Sequence, residues 1–345
     1  MSAGIKHERP GVYSSYEASS LTAAAAGGGK VAVMAPAGDK EGLEAYYQWT
    51  SFSRAVADVG DCVLSRMAQA AIRNGAGVVY GIPAGEDYSA ALAVMAGLED
   101  VGVAACGSAE LSVQQALKNA VQECSAARRE RIAVVGAAAG ESVEQLTARA
   151  AQLNSERVVL AAPGAGDGSG GAICAAAVAG AIASGSDPAL PLGGAQLYGL
   201  EGLEADYDDG EIDLLVQGGV TPLETLAGGC YVVRGVTTRT KSGGAVDNTW
   251  RELTTIRVVD EVIPGIRNAL RAKFGRAKNT AQSRGAIRSL VVMELEKRVG
   301  REIIDGYEDV TVSALDSDPT VCLVEFDFTV AHGLNQIWLS AHITV

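Results

Sequence analysis

Histidine is almost missing from this chain: His7, His332 and His342 are the only three in 345 residues. They lie far apart, in an N-terminal arm, beside Gly333 in a turn and in the last strand-like run, and read as surface or edge residues, not as a metal or acid–base centre. None of the six cysteines, at 62, 106, 124, 174, 230 and 322, forms a CxxC pair. Most sit among apolar or Ala-rich neighbours and read as buried free thiols in a reducing compartment. A GxxxxGKS/T phosphate loop is absent; Gly29-Lys30 comes nearest, but Val31 has no hydroxyl. No Ser or Cys stands in a GxSxG elbow. No apolar run reaches the ~18 residues of a membrane span. The first ten residues lack a signal-peptide core, so synthesis and retention in the cytoplasm until lysis are expected. Aromatics are scarce at 5%, leaving Ala and Gly to do much of the filling.

Hydrophobic content of 48% excludes a disordered chain, and the length suits two domains of ordinary size. The formal net charge of −13 excludes a general nucleic-acid binder. The acid is uneven, because residues 251–301 hold an excess of Lys and Arg.

Residues 1–29 read as an arm and hinge: Pro10, Gly11, Val12 and Tyr13 give a turn-then-extended signal, and a small-residue run follows from 23 to 29. Strands are expected at 30–35, 77–82, 101–105, 131–135 and 157–162. Helices are expected at 53–74, 88–98, 112–128, 142–153 and 172–183. This alternation implies an α/β domain over 30–200, a mostly parallel sheet with helices on both faces. From 201 to 333 the pattern turns to hairpins plus helices, α+β overall, with the boundary near 190 to 210. Glu211 to Gln217 leads toward a strand, Tyr231 to Arg239 is strand-like, and Lys241-Ser-Gly-Gly244 turns it into an expected strand from Trp250 to Val259. A long basic helical region follows from Glu261 to Gly300, then a polar turn, then strands at 320–330 and 336–345.

Gly166-Asp-Gly-Ser-Gly-Gly171 formally matches GxGxxG between a strand and a helix, with Asp187 about 20 residues on. It supports an alternative function, a nucleotide-binding α/β enzyme. Against it, Asp167 puts a carboxylate among amides meant for pyrophosphate, and the loop follows about the fifth strand, not the first. Asp206, Asp208, Asp209 and Glu211 cluster, but without EF-hand spacing they read as a solvated acidic turn.

Arg267, Arg271 and Lys278 recur at intervals of four and seven, so they share a helical face that Lys273 extends. An acidic protein partner suits such a face on a negative molecule. The last run, with Ile337, Trp338, Leu339, Ile343 and Val345, is strand-like to the final residue, and a free strand edge is a pairing surface. Such a strand completes its own sheet or is donated to a neighbour.

In this order along the chain, Arg9-Pro-Gly-Val-Tyr13, the small-residue helix at 177–183 with Asp187, Gly219-Val-Thr-Pro-Leu-Glu224, Tyr231 to Arg239 and Trp250-Arg-Glu-Leu253 resemble contractile tail sheath proteins of bacteriophages and R-type bacteriocins. The resemblance implies a structural protein with no enzyme activity and no cofactor or metal. It implies stacked hexameric rings around a tail tube, contracting to drive the tube through a cell envelope. Partners would be further copies of itself, the tail tube protein, and baseplate and tail terminator proteins, with no nucleic acid and no membrane insertion. It implies assembly in the bacterial host cytoplasm and a place in a virion or phage-tail-like particle after lysis. The arm at Pro10–Tyr13 and the strand at 334–345 would be donated to neighbouring subunits, completing the sheet of a mixed C-terminal domain. Arg267, Arg271, Lys273 and Lys278 are the expected tube contact.

Overall fold

The computed structural model describes residues 29–38 and 40–333. The chain opens with β1 (Lys30–Ala35), β2 (Tyr47–Trp49), α1 (Phe52–Val59), α2 (Val63–Arg73) and β3 (Val78–Pro83). It continues through α3 (Ser89–Gly97), β4 (Val103–Cys106), α4 (Leu111–Ala126), β5 (Ile132–Gly136), α5 (Val143–Leu153), β6 (Val158–Ala162) and α6 (Gly171–Ser184). Then come β7 (Gln196–Leu197), α7 (Asp209–Gln217), β8 (Thr221–Leu226), β9 (Gly229–Val232), β10 (Lys241–Ser242) and β11 (Ala245–Val246). Two long helices, α8 (Leu253–Phe274) and α9 (Ala281–Val299), precede β12 (Ile304–Leu315) and β13 (Asp318–Val330).

Nine strands form one sheet in the order β2-β3-β1-β4-β5-β6-β8-β9-β7. Its centre, from β3 to β8, is parallel, and β2, β9 and β7 add antiparallel edges. All of β5 and β6 is buried, as expected of strands covered on both faces. Helices α2 and α6 pack one face and α3, α4, α5 and α7 the other, each with its own apolar core. Ala and Gly let the layers approach: a Cβ on Gly180 of α6 would lie 2.4 Å from the Ala71 carbonyl of α2. The mostly parallel, two-faced α/β body is therefore as expected.

The differences are local and have physical causes. The helix expected over 53–74 is two helices, because Gly60 at φ 81 turns the chain between them. Residues 211–217 lead toward β8 as a helix: Asp208 accepts a 2.8 Å bond from the Glu211 amide and Glu211 accepts one from the Asp208 amide. That capping box accounts for much of the carboxylate cluster. The boundary expected near 190 to 210 falls inside the nine-stranded sheet, which runs on to Val232. Strand β9 also stops at Val232, short of Arg239.

The run from Trp250 to Val259 is not a strand. Helix α8 begins at Leu253, and Leu253, Ile256 and Val259 join the core beneath α6 while Val258, Val262, Ile266 and Leu270 join a third core with α9. Burial at three- and four-residue spacing on two sides overrides the β-branched composition. The basic helical region is two helices, broken at 275–280 before Thr280 caps α9. The polar turn expected after it contains a twelve-residue strand, β12, whose alternation is interrupted by irregularities near Gly306 and Glu308–Thr311.

Candidate assembly surfaces

The glycine loop at 164–171 is closed by its own chain. Asp167 accepts a 2.9 Å bond from the Ser169 amide and another from its hydroxyl, and Glu204 accepts from the Gly164 amide. The Ser169 hydroxyl first, and its amide next, hold the Asp167 carboxyl below its usual range. Behind the loop, a Cβ on Gly136 of β5 would lie 2.1 Å from the Gly171 carbonyl. The first turn of α6 thus sits directly on β5, and the Asp167 carboxylate already takes the Ser169 amide that a pyrophosphate at the helix N-terminus would need. Close helix–sheet packing and a loop capped by its own carboxylate account for the GxGxxG match.

Helix α8 joins the body to the C-terminal elements, and its buried side carries charge. Arg157, one residue before β6, donates from both terminal nitrogens to the Asp260 carboxylate, each at 3.2 Å. Arg267 donates to Glu130, two residues before β5, at 2.9 Å. Arg239 reaches Glu156 at 2.9 Å. Burial pushes the Asp260 carboxyl up, to about 8, with Arg157 pulling the other way. Burial likewise raises Glu130 against the pull of Arg267. The sequence carries a signal for this seam: Glu130-Arg131 and Glu156-Arg157 are charged pairs placed immediately before two wholly apolar strands.

These contacts correct one expected site residue. Arg267 is 7% exposed and ion-paired inside the seam, so it does not present itself to a tube. Its spacing with Arg271 is helical, as expected, but the helix turns that position inward. Arg271, Lys273 and Lys278 are exposed, at the elbow where α8 gives way to α9.

Strands β12 and β13 form a separate two-stranded antiparallel ribbon. One face, with Val324, Phe326, Phe328 and Val330, packs on the core of α8 and α9. The other face is exposed through Val321, Leu323, Glu325, Asp327 and Thr329. Among the described residues neither strand has a second partner, so both outer edges are free. Asp309, at φ 50, is the extra residue that breaks the edge of β12 between Glu308 and Thr311, whereas β13 carries no extra residue from Cys322 to Phe328 and is irregular only toward Asp318. The residues expected to be donated, Pro10, Gly11, Val12 and Tyr13 in the arm and Ile337, Trp338, Leu339, Ile343 and Val345 at the end, lie outside the described residues.

Known proteins share this arrangement. The profile of the phage tail sheath protein central domain matches residues 81–238, and that of the phage tail sheath C-terminal domain matches residues 245–344. The tail sheath protein of Bacillus phage SP01 is 29% identical over 233 residues, 64% of this chain. The match spans 39% of that protein's length. The helical sheath of the anti-feeding prophage in its contracted state has a TM-score of 0.72 at 15% identity, over 96% of this chain and 98% of that one. The sheath tail protein of Desulfitobacterium hafniense has a TM-score of 0.68 at 12% identity, over 93% and 100% of the two chains. At these identities the structural likeness is one of fold, while the two profiles together span the body from β3 onward and the C-terminal elements. The chain belongs to the phage tail sheath protein family.

Proposed function

We propose that this chain is the structural subunit of a contractile tail sheath, polymerising as stacked hexameric rings around a tail tube and contracting to drive the tube through a cell envelope. The observation that carries the reading is the two-stranded ribbon with free edges. One face of the ribbon is packed on α8 and α9, but its outer main-chain edges have no ladder partner among the described residues, and an added strand would supply one. The regular edge of β13 is the better acceptor. Residues 1–29 and 334–345 are the strands to be donated, between a body that runs from 30 to the end of the nine-stranded sheet and a C-terminal domain of α8, α9 and the ribbon.

Partners in this reading are copies of the same chain, the tail tube protein, and baseplate and tail terminator proteins. Arg271, Lys273 and Lys278 carry the tube contact, since exposed cations on a negative molecule steer docking to an acidic surface. Work would come from the extra surface that neighbouring subunits bury against one another on contraction, without a nucleotide, a role that needs no catalytic centre. Assembly belongs in the bacterial host cytoplasm, with the product carried in a virion or phage-tail-like particle.

Truncation tests the reading. Removing residues 1–20 or 334–345 is expected to abolish sedimenting polymers and leave a folded α/β monomer by circular dichroism. Polymers from both truncated chains would overturn strand donation.

A further inference from the structure

The 27 residues from Ile304 to Val330 carry seven Asp or Glu and no Lys, Arg or His. The 32 residues from Val262 to Met293 carry seven Lys or Arg and no Asp or Glu. Charge is therefore segregated between the ribbon and the helical elbow.

On the outward face of the ribbon Glu308 stands directly opposite Asp327, and Thr311 opposite Glu325. All three carboxylates are exposed. Like charges opposed across strands destabilise a ribbon. Among the described residues none of the three takes part in an ion pair; Glu325 accepts only a 3.4 Å bond from the Thr311 hydroxyl. Among the described residues Arg271, Lys273, Arg276 and Lys278 likewise find no carboxylate, although nearby cations of the same helices do.

Arg288 donates to the Val310 carbonyl of β12 at 2.8 Å, but the elbow cations Arg271, Lys273, Arg276 and Lys278 stand away from Glu308 and Asp327 of their own chain. Asn279 pins the elbow to the ribbon's turn by donating to the Pro319 and Val321 carbonyls at 2.8 and 3.1 Å. Asp327 lies six residues along β13 from the pinned Val321, roughly 20 Å at the rise of a strand. Glu308 and Asp327 sit toward the far end of the ribbon from the elbow, whereas Asp316 and Asp318 lie at its turn.

We infer that the acidic outward face of the ribbon docks the basic elbow of a second copy of this chain. The contact joins two different patches, so it is heterologous and propagates into a ring or an open helix instead of closing a pair. It rests on the sheath reading and adds a partner to it. The elbow residues are those proposed for the tube, so the two contacts exclude one another, and the ribbon takes the elbow when sheath is off the tube.

The experiment is polymerisation without tube at low salt, read by pelleting and electron microscopy. Four chains are compared: wild type, Glu308→Lys with Asp327→Lys, Arg271→Glu with Lys273→Glu, and the chain with all four changes. Each pair is expected to raise the concentration for half-maximal pelleting by about tenfold or more. The fourfold chain is expected to return to within about threefold of wild type, because the charges are exchanged and not lost. Glu308→Gln with Asp327→Asn keeps the shapes. It is expected to weaken pelleting while raising the melting temperature of the monomer, which separates lost docking from lost folding. Pair variants that polymerise as wild type does, or a fourfold chain as impaired as its worse parent, would overturn this contact alone. A wild type that stays monomeric at every concentration would defeat the sheath reading and the contact together.

Discussion

Gly136→Ala is expected to lower the stability of the folded chain by about 3 kcal/mol. The new methyl would meet the Gly171 carbonyl carbon and oxygen at 2.3 and 2.1 Å. These are backbone atoms at the start of α6, and no rotamer change moves them aside. Helix α6 has ten buried residues and packs on α2 as well, so its retreat would open both contacts. Gly285→Ala in α9 is the internal control. Its Cβ would meet nothing within 4 Å, in an exposed helical position. There alanine is expected to add about 0.5 to 1 kcal/mol, because glycine loses more backbone freedom on helix formation. Chemical denaturation of the monomer reads both. A Gly136→Ala chain as stable as wild type would mean that α6 does not rest on β5 in this way.

Arg267→Ala is expected to destabilise by about 3 to 5 kcal/mol, against less than about 0.5 kcal/mol for Arg271→Ala four residues away. Both are arginines on one helix, and their burial separates them. Removing Arg267 leaves Glu130, 4% exposed, without the ion pair that offsets its burial. Removing Arg271 withdraws an exposed side chain. Arg267→Met together with Glu130→Leu, which removes both charges and keeps apolar volume, is expected to recover most of the loss. The tube contact responds in the opposite order: Arg271→Glu should weaken binding to tube without changing the melting temperature. Equal stability losses at 267 and 271 would contradict the seam.

Much of this is legible in the residues. The body is readable because short apolar runs alternate with amphipathic stretches, and where both faces of a strand are buried, its length and β-branched content settle the type in place of a period. Where reading fails, tertiary contacts override local preference. Thr254, Thr255, Val258 and Val259 favour a strand by composition, yet α8 buries them on two sides between two cores. Strand β12 escapes notice because Asp305, Glu308 and Asp309 give it the polarity of a turn, and its register shifts interrupt the period of two. The expected domain boundary falls too early because β7, β8 and β9 look like hairpins from sequence, and only pairing shows that they extend the first sheet. Of the expected tube residues, Arg271, Lys273 and Lys278 are exposed and Arg267 is not. A helical interval puts side chains on one face without saying what that face meets, and the acid that claims Arg267 lies 137 residues away.

Negative-stain electron microscopy of the purified chain at high concentration is the most direct test of a sheath subunit. Hollow tubes or stacked rings with six-fold end views are the predicted result. Uniform single particles at every concentration and salt, from a chain that is folded by circular dichroism, would contradict it.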